Sequence, residues 1–182
     1  MFEKRILLGV TGSIAAYKAA ELIRRFREKG LRVSVVMTKG AEHFITPLTL
    51  ASLSGEKVYR ALFEEESSGD MPHLELAREA NLVLIAPATA NIIAKMAHGI
   101  ADDLLTCVCL ATHAPILVAP AMHDEMYKNK IVLENCRKLK ANGVKFVDPI
   151  EGKLACGTVG EGHIAEIEEI IKKVETLLRE LC

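Results

Sequence analysis

Few residues of this sequence have types and surroundings that suit chemistry. His73 follows Pro72 in an expected loop, and histidine is the side chain that can change its charge near neutral pH. Cys156 lies between Ala155 and Gly157 in a glycine-rich run, where a thiol can be exposed. Each has a plainer reading, His73 as a surface or capping histidine and Cys156 as an ordinary thiol. Spacing alone does not bring the two together. Four short stretches of small or hydroxyl-bearing residues complete the set: Gly12-Ser13, Thr38-Lys39, Ala88-Thr89-Ala90-Asn91 and Pro120-Ala121-Met122-His123. Small side chains let a flat ring or a phosphate approach the backbone.

The elements that must position these residues follow from hydrophobic periodicity. Arg5–Val10, Leu31–Met37, Leu82–Ala86, Pro115–Ala119 and Val144–Val147 are short apolar runs, rich in β-branched residues. They read as strands buried on both faces, the parallel-sheet kind. Helices are expected over 14–29, 41–54, a short stretch ending at Glu79, 92–98, 101–113, 124–142 and 164–181. Asp102 and Asp103 are expected in the first turn of the fourth long helix, where acids suit the positive helix end. Residues 63–70 read as an acidic surface loop, and 148–162 as a glycine-rich, hinge-like segment. The alternation predicts an α/β fold: a Rossmann-like or flavodoxin-like three-layer sandwich with a mostly parallel sheet and helices on both faces. Residues 1–182 are expected to form a single domain. The four polar stretches then fall at the carboxyl ends of strands, where such sheets bind nucleotides and flavins. Gly12-Ser13 is not a full dinucleotide fingerprint. Ser13 serves there either near a phosphate or as a helix cap.

Composition excludes several classes. A net charge of −1 over 182 residues gives no reason to expect nucleic acid or an anionic membrane as partner. No apolar run approaches the length of a membrane span. The start of the chain enters a strand rather than a signal peptide. Five scattered cysteines, an odd number, suggest reduced thiols in a cytoplasm. Cys107 and Cys109 lack a partner pair, so no metal site is expected.

The chain resembles the homo-oligomeric flavin-containing cysteine decarboxylases over nearly its whole length, most of all the branch that serves coenzyme A synthesis. The residues that carry the resemblance are Gly12 through Lys18, His73 with Leu76-Ala77-Arg78, Ala86 through Asn91, Gly99 through Thr106, Pro120-Ala121-Met122, and Ala155-Cys156-Gly157 with Gly160, Gly162 and Glu166. It implies FMN as cofactor. Gly12, Ser13 and Ile14 would lie near its phosphate with Thr38 close by. Thr89, Ala90, Asn91 and Ile92 would hold the phosphate or ring edge, and Ala121 would lie against the flavin. The family's histidine base matches His73, and its proton-donating cysteine matches Cys156. Met122, His123, Ala155 and Gly157 would contact the substrate.

The implied reaction is the oxidative decarboxylation of phosphopantothenoylcysteine to phosphopantetheine. A homo-oligomer, a trimer or a multiple of trimers, is implied as well. The same scaffold also leaves open a flavin prenyltransferase, a non-catalytic FMN-binding regulator and a peptidyl-cysteine decarboxylase. Three positions depart from the family pattern. His123 stands where the family has a substrate-binding asparagine, and Tyr127 where tryptophan is frequent. His163 stands where the clamp usually has arginine. Many bacterial relatives continue into a ligase domain, which is expected here on a separate protein.

Overall fold

Residues 4–63, 71–153, 157 and 159–181 are described by a computed structural model. The first apolar run forms β1 (Arg5–Val10), followed by a short 3-10 turn over Ile14–Tyr17 and by α1 (Lys18–Glu28). Then come β2 (Arg32–Met37), a second 3-10 turn over Ala41–His43, α2 (Pro47–Ser54) and β3 (Val58–Tyr59). The middle of the chain supplies α3 (Pro72–Glu79), β4 (Leu82–Ala88), α4 (Ala90–His98), α5 (Leu104–Ala111) and β5 (Ile116–Pro120). The last part holds α6 (Asp124–Tyr127), α7 (Lys130–Ala141), β6 (Lys145–Phe146), β7 (Ile150–Lys153), β8 (Val159–His163) and α8 (Ile167–Glu180).

The main sheet has the order β3-β2-β1-β4-β5-β6, and its neighbouring strands pair in parallel. This is the Rossmann strand order, as the alternation of elements predicts. Side-chain alternation along the strands divides the core into two layers. Ile6, Leu8 and Val10 of β1 join Leu22 and Phe26 of α1 and Ile170 and Val174 of α8 on one face. Leu7, Val83 and Ile85 join Leu76, Ile93, Leu105 and Leu139 of α3, α4, α5 and α7 on the other. Helices on both faces bury the sheet twice, which explains why its strands read as continuous apolar runs.

Local chemistry corrects several expected boundaries. The 41–54 helix is two pieces, because Thr46 caps α2 by accepting the Thr49 N–H at 3.2 Å and Pro47 takes its first position. The 124–142 helix also breaks, where Asn129 caps α7 by accepting the Ile131 N–H at 2.9 Å. Asp102 and Asp103 precede α5 instead of lying in its first turn. Asp103 is its cap, in a reciprocal capping box with Thr106. The hinge-like segment contains an antiparallel hairpin of β7 and β8, and β3 is a strand that periodicity did not reveal. The acidic stretch 64–70 lies outside the described residues. Among the described residues no helix is long and apolar enough to cross a membrane.

Candidate functional site

The sheet changes direction between β1 and β4. From β1 the chain moves to β2 and β3 on one side; from β4 it moves to β5 and β6 on the other. A crevice opens outside the carboxyl ends of the two central strands, as it does wherever strand order reverses. A cavity of about 1200 Å³ occupies it. Gly12, Ser13 and Ile14 after β1, Thr38 after β2, Thr89, Ala90, Asn91 and Ile92 at the head of α4, and Ala121 after β5 all line this cavity. The sequence placed these residues in separate loops; the fold brings them to one rim.

Ser13 is a helix cap, one of its two readings. It lines the cavity, and its Oγ accepts the Ala15 N–H at 3.4 Å, a long cap bond. Thr89 caps α4 through the Ile92 N–H at 3.4 Å. The first N–H groups of α4, those of Ala90 and Asn91, have no carbonyl partner within the helix. They and the helix dipole favour an anion there. Gly12 is glycine for reasons of space. A Cβ on it would lie 2.9 Å from the Gly40 carbonyl carbon, so the loops after β1 and β2 touch through bare backbone.

Several cations face the cavity. Lys18 and Lys39 line it and have no carboxylate partner among the described residues, while Arg60 lies 3.9 Å from Glu42. Lys95 also lines it but is engaged by Asp102 at 2.7 Å and Asp103 at 3.1 Å. The Asp102 hydrogen bond is the main cause holding the Lys95 ammonium above its ordinary range, and the same bond holds the Asp102 carboxyl below its own. Sequence reasoning placed Asp102 and Asp103 in the first turn of a helix, beside its positive end, and did not single out Lys95. A lysine seven and eight residues before two acids was the available signal.

The opposite wall comes from α6 and β8. Met122, His123, Gly162 and His163 line it. The Met122 N–H donates to the Gly162 carbonyl at 3.0 Å and ties the loop after β5 to the hairpin. His123 caps α6, and its Nδ1 lies 3.3 Å from the Glu125 nitrogen and 3.0 Å from Asp124 Oδ1. One nitrogen cannot serve both at once. Neutral Nδ1 accepts from Glu125; protonated Nδ1 donates to Asp124. Burial works against the Asp124 charge. The Lys128 bond, the Glu125 N–H and nearby positive charge outweigh it and hold this carboxyl below its usual range. His163 Nδ1 lies 2.9 Å from the Ile164 carbonyl oxygen, so it carries the proton there. Burial is the main cause that pushes the Tyr127 phenol above its ordinary range.

His73 stands apart. It occupies the first turn of α3, directly after Pro72 at the helix start, and not a loop as expected. It does not line the cavity of its own chain. Its Nδ1 is buried and has no hydrogen-bond partner among the described residues. Gly157 is exposed with φ 91, a backbone conformation that favours glycine. Ala155 and Cys156 lie outside the described residues. Among the described residues no cluster of three or more His, Cys, Asp or Glu could hold a metal ion. Burial pushes the Cys109 thiol up to about 12, with the Asp103 charge adding to it, so this cysteine is inert packing.

The family model described as Flavoprotein matches residues 1–179. The coenzyme A biosynthesis bifunctional protein CoaBC of Vibrio vulnificus is 48% identical over 172 residues, covering 94% of this chain and 43% of that protein. The chain thus spans less than half the length of such bifunctional relatives. A probable phosphopantothenoylcysteine decarboxylase of Streptococcus mutans is 46% identical over 177 residues, covering 96% of this chain and 99% of that one. Among solved structures, a cysteine-to-serine mutant PPC decarboxylase complexed with pantothenoylaminoethenethiol superposes with a TM-score of 0.86 at 33% identity, over 97% of this chain and 99% of that one. The FMN-binding protein AtHal3 superposes with a TM-score of 0.83 at 33% identity, over 98% of both chains.

Proposed function

Because the chain belongs to the Flavoprotein family, we propose that it is an FMN-dependent phosphopantothenoylcysteine decarboxylase, acting in coenzyme A biosynthesis to yield phosphopantetheine and carbon dioxide. The observation that carries this reading is the convergence of every expected cofactor residue on one cavity at the β1/β4 reversal. The residues present fit FMN. The volume of about 1200 Å³ exceeds a typical small-molecule pocket of roughly 300–1,000 Å³, so cofactor and substrate fit together. Bare backbone at Gly12 and Gly40, the head of α4, and Lys18 and Lys39, which have no carboxylate partner among the described residues, suit a phosphate.

When bound, FMN supplies a hydride acceptor for the carbon next to sulfur and returns the hydride at the end, so no outside reductant is consumed. The chain's own residues do the rest. Gly12, Ser13 and Ile14, with Thr38 close by, would hold the phosphate, the head of α4 would hold the phosphate or the ring edge, and Ala121 would support the ring. Met122 and His123 border the substrate with Ala155 and Gly157, and His123 can donate to its carboxylate or amide. His73 takes the thiol proton during oxidation, which makes the sulfur-bearing carbon an electron sink for the departing carboxylate. Cys156 returns a proton to the carbon that lost carbon dioxide.

His73 is absent from its own chain's cavity. We therefore assign it to the cavity of a second copy, in a homo-oligomer built of trimers. Cys107, Cys109 and Cys136, free thiols among the described residues, fit a cytoplasmic enzyme.

Purified protein should be yellow, release FMN on denaturation and convert phosphopantothenoylcysteine to a product of the mass of phosphopantetheine. A colourless preparation that cannot be reconstituted with FMN overturns the proposal, as does a flavin-loaded protein that leaves the substrate mass unchanged. The cradle makes a sharper expectation. Gly12→Ala puts a methyl group 2.9 Å from Gly40 backbone, which cannot move aside as a side chain would. FMN affinity, read by fluorescence titration, should fall by about tenfold or more, a cost of at least ~1.4 kcal/mol. Unchanged affinity would show that the two loops do not frame the phosphate.

A further inference from the structure

Thr11 joins the two halves of the crevice. It follows β1 and is 2% exposed. Its Oγ1 donates to the Pro87 carbonyl at 2.7 Å and accepts the Thr89 N–H at 3.1 Å. A hydroxyl carries one proton and two lone pairs, so a single oxygen satisfies a carbonyl and an N–H on the neighbouring strand. Sheet pairing does not do this work. The β1–β4 ladder ends at Gly9 opposite Ile85, and the β4–β5 register shifts between Ile85 and Ala88. Beyond that point the side chain of Thr11 replaces the ladder.

Both partners of Thr11 lead into the anion-binding backbone. Thr89 caps α4, so fixing its N–H fixes where the free N–H groups of Ala90 and Asn91 stand. On the other side, the Ser13 N–H donates to the Thr11 carbonyl at 2.8 Å, which folds the Gly12-Ser13 turn. One residue therefore sets both the turn after β1 and the start of α4. The sequence signal was slight, since a threonine at a strand end is common.

We propose that Thr11 is a positioning residue for a phosphate monoester, the phosphoryl group of FMN: its hydroxyl holds the β4–α4 junction against the β1 turn so that N–H groups of both converge on that group. The proposal rests on the FMN reading above. A purely structural hydroxyl would lower the melting temperature and leave flavin affinity of the folded apoprotein unchanged. A positioning hydroxyl changes the affinity itself, and changes it for FMN more than for riboflavin, which lacks the phosphate.

The experiment titrates apoprotein with FMN and with riboflavin by fluorescence, for wild type, Thr11→Val and Thr11→Ser, with melting curves recorded in parallel. Thr11→Val keeps the shape and deletes the hydroxyl; it should weaken FMN by about 10- to 100-fold and riboflavin by less than about threefold. Thr11→Ser should stay within about threefold of wild type for both ligands. If Thr11→Val does not fold, Thr11→Ala, which admits water to the orphaned groups, is held to the same criterion. Folded protein without the hydroxyl that binds FMN within threefold of wild type overturns the proposal, whatever its melting temperature. Equal losses for FMN and riboflavin overturn it as well. Wild-type apoprotein that binds neither flavin overturns the functional reading on which it rests, and this outcome is distinct from the other two.

Discussion

His73→Asn should lower turnover of phosphopantothenoylcysteine by about a thousandfold while FMN stays bound. A positioned general base contributes typically 10²–10⁴-fold, and asparagine keeps hydrogen-bonding capacity but cannot take a proton. FMN retention is expected because His73 is not among the residues proposed to hold the cofactor, all of which line the cavity of their own chain. The imidazole also presents an anomaly that a catalytic role explains. A buried ring nitrogen without a partner costs about 1–3 kcal/mol, and Nδ1 of His73 is such an atom among the described residues. A residue kept only for packing would serve better as a hydrocarbon. Placement at the start of α3, after Pro72, gives the ring a rigid base at one end of a helix.

The oligomeric part of the proposal is tested separately. Chains carrying His73→Asn are mixed with chains carrying Gly12→Ala, and both are reassembled with FMN. If the histidine of one copy serves the cavity of another, mixed assemblies contain sites with both parts intact and recover activity. No recovery would place the histidine's work within one chain. Unchanged turnover of His73→Asn alone would remove the base from the mechanism.

The division between what the sequence disclosed and what it hid has physical causes. β1, β2, β4 and β5 were legible because a strand buried on both faces must be apolar throughout, and few alternatives suit so short a run. The rim of the cavity was legible for a related reason. Loops at carboxyl ends of parallel strands converge whatever their sequence, so placing Gly12, Thr38, Thr89 and Ala121 at strand ends was enough to bring them together. Helix boundaries were less legible because caps compete with periodicity. Thr46 and Asn129 each cap a new helix inside a pattern that hydrophobic spacing alone continues, and Asp103 starts its helix later than spacing suggests. The β7–β8 hairpin was hidden because its glycines suggested flexibility. In the structure Gly160 and Gly162 are there for close approach. His73 was seen as reactive but placed in a loop, since Pro72 signals a turn as readily as a helix start. Thr11 could not be found by spacing at all, because its partners Pro87 and Thr89 are distant in the chain and its role exists only once β1 and β4 are neighbours.

Those same glycines carry the second large expectation: Gly162→Ala should cut turnover by about 100-fold or more, with FMN content unchanged. A Cβ at residue 162 would lie 2.2 Å from the Met122 carbonyl oxygen, 3.2 Å from the Asp124 nitrogen and 3.3 Å from the His123 carbonyl carbon. All three are backbone atoms, so no rotamer change relieves the clash. Either β8 lifts away or residues 122–124 move, and the bond from the Met122 N–H to the Gly162 carbonyl is lost in both cases. Met122 and His123 then leave their places on the substrate wall, and displacement by about 1 Å at a reacting site is worth on the order of 10²-fold. Cofactor retention follows from geometry, because Gly12, Thr38 and Thr89 belong to other strand ends and keep their contacts. Overpacking of this kind costs about 1–3 kcal/mol, so the melting temperature should also fall by roughly 2–12 °C for a domain of this size. Two further substitutions separate displacement of the wall from general loss of stability. Gly160→Ala meets Asp124 Oδ2 at 2.5 Å and its Cβ at 2.7 Å; the carboxylate can rotate away only by giving up its bonds to His123 and Lys128, and the Cβ moves only with its backbone, so a loss below but approaching that at 162 is expected. Gly152→Ala meets only the His163 side chain, at 3.3 Å, and should leave turnover within about threefold of wild type. The order of effect, 162 above 160 above 152, follows from whether the obstacle is backbone, a tethered side chain or a side chain at near-normal contact. Equal losses at all three positions would mean that the hairpin matters only for stability, and normal turnover of Gly162→Ala would detach β8 from the substrate site altogether.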